Sequence, residues 1–186
     1  EVIDGKRILL VGGGRSLGDV TSSRLFAPKA LVNVDPFLPQ ESIERTSAKD
    51  YYKSMPLHID PTKRDFITEM HSQGCEIFDE IWATFSIPHY CKTAQEIEVF
   101  FKNMYEMLAP GGYIRIYPMG FFTENLTEEE VSERAYELEP GLLSALDRLA
   151  EKDDIEMSAQ NNSSRSSRRD SLTLLIHKLA NQPDKS

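Results

Sequence analysis

The chain has 186 residues, 40% of them hydrophobic and 27% charged, a balance that suits one soluble domain over residues 1–186 with a single core. Its 30 acidic and 21 basic side chains give a formal net charge of -9, a field that disfavours nucleic-acid phosphates and anionic lipid as partners. No apolar run approaches the roughly 20 residues needed to cross a bilayer. Cys75 and Cys91 can form neither a disulfide framework nor a zinc site, and as free thiols they suit a reducing, cytoplasmic setting.

Read in chain order, strands and helices alternate. Ile8 to Val11 is an apolar run closed by Gly12-Gly13-Gly14, the pattern of a strand buried on both faces. Ser16 to Phe26 is compatible with a helix, and Ala30 to Val34 is a second strand ending at Asp35-Pro36. Gln40 to Tyr52 reads as a helix, Met55 to Ile59 as a short strand ending at Asp60-Pro61, and Arg64 to Ser72 as a helix stopped by Gly74. Glu76 to Phe85 is the fourth strand. Thr93 and Glu96 have capping-box spacing. The helix they open places Ile97, Phe100, Phe101, Met104, Met107 and Leu108 on one face. Pro110-Gly111-Gly112 turns into a fifth strand, Tyr113 to Tyr117. A second capping box, Thr127 with Glu130, opens a helix reaching about Lys152, with a kink expected at Pro140. Ile155 to Gln160 and Leu172 to His177 are joined by a polar loop without a helix, so they should pair as an antiparallel hairpin.

Such alternation predicts a parallel sheet covered on both faces, with ligands bound beyond the carboxyl ends of its strands. Gly12, Gly13 and Gly14 stand at such an end, where backbone without Cβ can approach a ligand closely. Asp35 ends the next strand, at the roughly 20-residue spacing that lets a carboxylate accept hydrogen bonds from the ribose of an adenosine. A nicotinamide cofactor prefers a third glycine where Leu17 stands. The short-chain dehydrogenase pattern places glycine at Ser16 and needs a Tyr followed four residues later by Lys. No Tyr in this chain has that partner.

The run Leu9 to Gly18, with Asp35, Asp60, Phe78-Asp79-Glu80-Ile81-Trp82-Ala83 and Leu108-Ala109-Pro110-Gly111-Gly112-Tyr113, resembles the class I S-adenosylmethionine-dependent methyltransferases over nearly the whole chain. The resemblance implies a Rossmann-like three-layer αβα sandwich. Its mostly parallel seven-stranded sheet would run in the order 3-2-1-4-5-7-6, ending in the antiparallel hairpin. It implies S-adenosylmethionine as cofactor, with Gly12, Gly13, Gly14 and Ser16 in the loop under its methionine part, Asp35 on the ribose, Asp60 at the adenine and Phe85 as a further cofactor-binding residue. The family often has glycine where Ser16 stands and an acid before the first glycine, where this chain has Leu10 and Val11. Polyamine synthases share the triple glycine, but carry acids in the loop after the fourth strand that are missing here.

Methyl transfer needs alignment of a nucleophile with the methyl carbon and sometimes removal of a proton. The loop Ser86 to Cys91 faces that methyl in the family. His89 is a candidate base because imidazole titrates near neutrality, and Tyr90 a candidate for orienting an acceptor. The alternative is that both pack locally and cap the next helix. The histidines are scattered and no metal site is expected. Arg165, Arg168 and Arg169 form a solvated hairpin tip or a contact for an acidic partner. Few residues precede the first strand, so cover for the site should come from the Gly120 to Asp153 region, with Phe121, Phe122 and Leu126 as lid residues, or from a homodimer partner or neighbouring domain. The acceptor is unidentified, with a small molecule favoured. Two other readings stay open: a non-catalytic scaffold of the same fold, and a NAD(P)-dependent oxidoreductase.

Overall fold

A computed structural model describes residues 5–12, 28–37, 54–84, 87, 90–119, 127–161 and 172–180. The described strands form one seven-stranded sheet in the order β3-β2-β1-β4-β5-β7-β6. These are β1 (Arg7–Val11), β2 (Ala30–Val34), β3 (Ser54–Leu57), β4 (Phe78–Thr84), β5 (Leu108–Met119), β6 (Ile155–Asn161) and β7 (Leu172–Lys178). The first five are parallel, and β7 inserts antiparallel between β5 and β6. This is the fold and strand order expected from the sequence.

Successive strand residues point to opposite faces. Leu9, Val11, Val32, Val34, Ile81, Ala83, Ile114 and Ile116 bury one face. Against it pack three helices: α1 (Phe66–Ser72), α2 (Ala94–Met107) and α3 (Glu128–Ala150). Ile97, Phe100, Phe101, Met104 and Met107 of α2 are all buried in this core, as the helical spacing predicts. Ile8, Leu10 and Leu31 form a second cluster with Trp82 on the other face. The helices read over 16–26 and 40–52 lie outside the described residues.

Several boundaries differ from the sequence reading for identifiable reasons. Helix α1 starts at Phe66 rather than Arg64, while its stop is the expected one: Gly74 has φ +75°, its N–H donates to His71 O and the N–H of Cys75 to Met70 O. Strand β3 ends at Leu57, whose carbonyl is taken by the N–H of Asp35, leaving Ile59 and Asp60 to the following loop. Strand β5 begins at Leu108, directly after α2, and absorbs Pro110-Gly111-Gly112 as an irregularity in its register with β4. Gly111 has φ +80°, and a Cβ on Gly112 would lie 2.9 Å from the carbonyl oxygens of both Ala109 and Asp79. Helix α3 runs without interruption through Pro140.

At the amino end of the sheet, Glu80 is 1% exposed and accepts from Lys6 Nζ at 2.6 Å, Arg115 Nε at 3.3 Å and Trp82 Nε1 at 3.3 Å. Beside it Asp79 accepts from the backbone N–H and the guanidinium of Arg7. These bonds lock β1, β4 and β5 together at the end remote from the crevice.

Candidate functional site

Strand order reverses between β1 and β4, and the carboxyl ends of β1, β2 and β3 open there onto a cavity of about 560 Å³. Gly12 closes β1 with φ +65°, a conformation that disfavours any Cβ, and its N–H donates to the Val34 carbonyl at 2.8 Å. Asp35 follows β2 and is 8% exposed. Its Oδ1 accepts from the N–H of Phe37 at 2.8 Å, a tight turn that leaves the Phe37 ring 76% exposed at the cavity.

The loop after β3 forms the next wall. Asp60 Oδ1 accepts from the Thr62 N–H at 2.9 Å and the Thr62 hydroxyl at 2.7 Å, and Asp60 Oδ2 lies 3.8 Å from Lys63 Nζ. Asn103, buried on α2, donates through Nδ2 to the carbonyls of Pro61 at 2.9 Å and Lys63 at 2.8 Å.

The third wall is the approach to α2, with Ile87, Tyr90, Lys92 and Glu96. Thr93 caps the helix by accepting from the Glu96 N–H at 3.2 Å, but the Glu96 carboxylate reaches past it to the Lys92 N–H at 2.6 Å. The expected reciprocal box is therefore shifted one residue upstream on its return bond. Cys91 lies buried beneath this wall, its carbonyl accepting from Arg134 and its thiol pushed up to about 12 by burial. A thiol so held is no nucleophile at neutral pH.

Of the residues singled out from the sequence, Gly12, Asp35, Asp60 and Tyr90 line this one cavity. Gly13, Gly14, Ser16, Phe85 and His89 lie outside the described residues, as do Phe121, Phe122, Leu126 and the arginines 165, 168 and 169. The sequence reading missed Phe37, Thr62, Lys63, Lys92 and Glu96. An aromatic residue directly after a strand-ending Asp-Pro was the available signal for Phe37. Among the described residues no group of His, Cys, Asp and Glu could hold a metal ion, and no helix is long and apolar enough to cross a membrane.

The chain matches no protein-family model and no curated protein sequence. It is similar in structure to N-methyltransferase NodS from Bradyrhizobium japonicum, with a TM-score of 0.59 and 15% identity over 94% of this chain and 87% of that one. A SAM-dependent methyltransferase from Methanosarcina mazei gives a TM-score of 0.56 at 14% identity, covering 94% of this chain and 93% of that one. The O-methyltransferase from Bacillus cereus, solved in complex with SAH, gives 0.57 at 14% identity, covering 94% and 74%. The chain thus has the Rossmann-like fold of class I methyltransferases.

Proposed function

We propose that this protein is a methyltransferase that uses S-adenosylmethionine. The observation that carries the reading is the convergence of Gly12, Asp35 and Asp60 on one cavity at the switch point of the sheet. The acceptor set suits an adenosyl group. A carboxylate has about four lone-pair sites, so Asp35 can accept from ribose hydroxyls beside its bond to Phe37. Asp60 Oδ2 can accept from the 6-amino group of adenine, while Phe37 and Tyr90 offer aromatic surface to the base. Gly12 admits close backbone approach. Gly13, Gly14, Ser16 and Phe85 complete the set in this proposal.

When bound, S-adenosylmethionine supplies a methyl group on a sulfonium, open to in-line displacement by an acceptor's nucleophile. The protein's part is alignment, exclusion of water and, through His89, removal of a proton from the acceptor. The net charge of -9 favours a small-molecule acceptor over nucleic acid. Relatives of the same fold carry both N- and O-methyltransferase names, so the acceptor atom does not follow from the fold. A second copy or a neighbouring domain would supply cover over the site. The two thiols, both free and buried, support a cytoplasmic setting.

Titration calorimetry with S-adenosylhomocysteine and NAD, followed by labelled-methyl transfer into fractions of a cell extract, tests the reading. Binding of S-adenosylhomocysteine but not NAD, with label entering a small-molecule fraction, is the expected result. Binding of NAD alone would turn the assignment to an oxidoreductase. Tight S-adenosylhomocysteine binding with no transfer to any fraction would leave a scaffold of this fold.

A further inference from the structure

Asn103 is a polar residue on the apolar face of α2, between Phe100, Phe101, Met104 and Met107, and is 2% exposed. Asparagine is a poor helix former, and its amide is costly to bury unless it is hydrogen-bonded. Its Nδ2 spends both N–H groups on the loop after β3, at Pro61 O and Lys63 O. That loop is otherwise held by its own turn: Lys63 N–H to Asp60 O at 3.2 Å, and Thr62 to Asp60 Oδ1. The local bonds set the shape of the turn. The Asn103 bonds, which span 42 and 40 residues of sequence, tie the turn to α2. Both the turn and the head of α2, through Lys92 and Glu96, wall the same cavity.

We propose that Asn103 is a positioning residue for purine discrimination. It holds the Asp60–Lys63 loop at the depth where Asp60 Oδ2 meets a 6-amino group. The inference rests on the adenosyl reading of the cavity. Its consequence is specific: an acceptor-only carboxylate welcomes the 6-amino group of adenine and rejects the 6-oxo group of hypoxanthine, but only while the loop is held in place.

The test compares affinities for S-adenosylhomocysteine and S-inosylhomocysteine, which differ at the 6-substituent and at N1, an acceptor in adenine and an N–H donor in hypoxanthine. Wild type should prefer the adenine compound by about tenfold or more. Asn103→Ala should bring the preference to about threefold or less and lower the melting temperature, because the carbonyls of Pro61 and Lys63 lose their donor. Asn103→Ser is made alongside. It keeps one donor, should give an intermediate preference, and decides the matter if the alanine variant does not fold. A purely structural role would weaken both ligands equally and leave the preference intact, which would overturn the proposal. Wild type that binds S-adenosylhomocysteine without preference would overturn this inference alone. Wild type that binds neither compound would overturn the adenosyl reading and this inference with it.

Discussion

Gly141 of α3 lies so close to Ala94, the first residue of α2, that a Cβ added to it would stand 2.5 Å from the Ala94 Cα and 2.6 Å from its carbonyl oxygen. Helices approach this closely only where one contributes no side chain. The contact fixes α3 against the head of α2, where Lys92 and Glu96 wall the cavity. Gly141→Ala should gain about 1 kcal/mol in helix propensity and lose more to overpacking, for a net destabilisation of about 1–3 kcal/mol. Urea unfolding of the variant checks this. Adding Ala94→Gly should recover only part of the loss, because backbone atoms of Ala94 are also in the way.

That contact also marks where the sequence was hard to read. The helix was read through Pro140 to about Lys152, but nothing in the local pattern shows that Gly141 serves a helix crossing. The parallel sheet and its closing hairpin were legible because apolar runs alternate with amphipathic ones and the final two strands lack a connecting helix, whereas the strand order followed from the resemblance to a known family. Gly74 and the stripe on α2 were legible for the same reason, a local period or a local stop. The pairing of Glu80 with Lys6 and Arg115 was not, since partners 74 and 35 residues apart leave no spacing signal. Phe37 was missed because one exposed aromatic has no periodicity, and its meaning comes from the turn that Asp35 builds.

The Arg7–Asp79 pair should give stability a measurable acid limb. Hydrogen bonding from the Arg7 guanidinium holds the Asp79 carboxyl below its usual value. A depressed carboxyl contributes stability that is fully present above the unfolded pKa of about 4 and is lost as pH falls through the folded value. The pair is about one-third exposed, so solvent screening limits its worth. Asp79→Asn should therefore cost about 1 kcal/mol at neutral pH. In urea unfolding at a series of pH values, the gap between wild type and variant should close below about pH 4. A gap constant down to about pH 3 would show that the charge on Asp79 contributes nothing.

Cys91 should resist alkylation in the folded protein. It is 1% exposed and its thiol is raised to about 12 by burial, with Glu96 and Asp60 adding to the shift. Cys75 is raised by burial as well. Iodoacetamide at about pH 8, where a free thiol of ordinary pKa is substantially ionised, should label neither cysteine in native protein and both in urea. Mass spectrometry reads the difference. Rapid native labelling of Cys91 would mean that the wall formed by Tyr90 to Glu96 opens in solution.

Asp35 and Phe37 allow the binding role of one turn to be separated from its structural role. Asp35→Ala removes a carboxylate that accepts the Phe37 N–H and, in the proposed function, the ribose hydroxyls. It should weaken S-adenosylhomocysteine binding by about 2 kcal/mol, roughly 30-fold, through lost charge-assisted hydrogen bonds. It should also loosen the turn itself, so its effect alone is ambiguous. Phe37→Ala is the cleaner companion. A ring 76% exposed contributes little to folding, and its removal should leave stability within about 0.5 kcal/mol. If the ring stacks on adenine, the same substitution should cost about 1–3 kcal/mol of binding. Calorimetry paired with thermal unfolding distinguishes the two. Unchanged affinity in Phe37→Ala would remove the aromatic wall from the site, and unchanged affinity in a folded Asp35→Ala would remove the ribose contact.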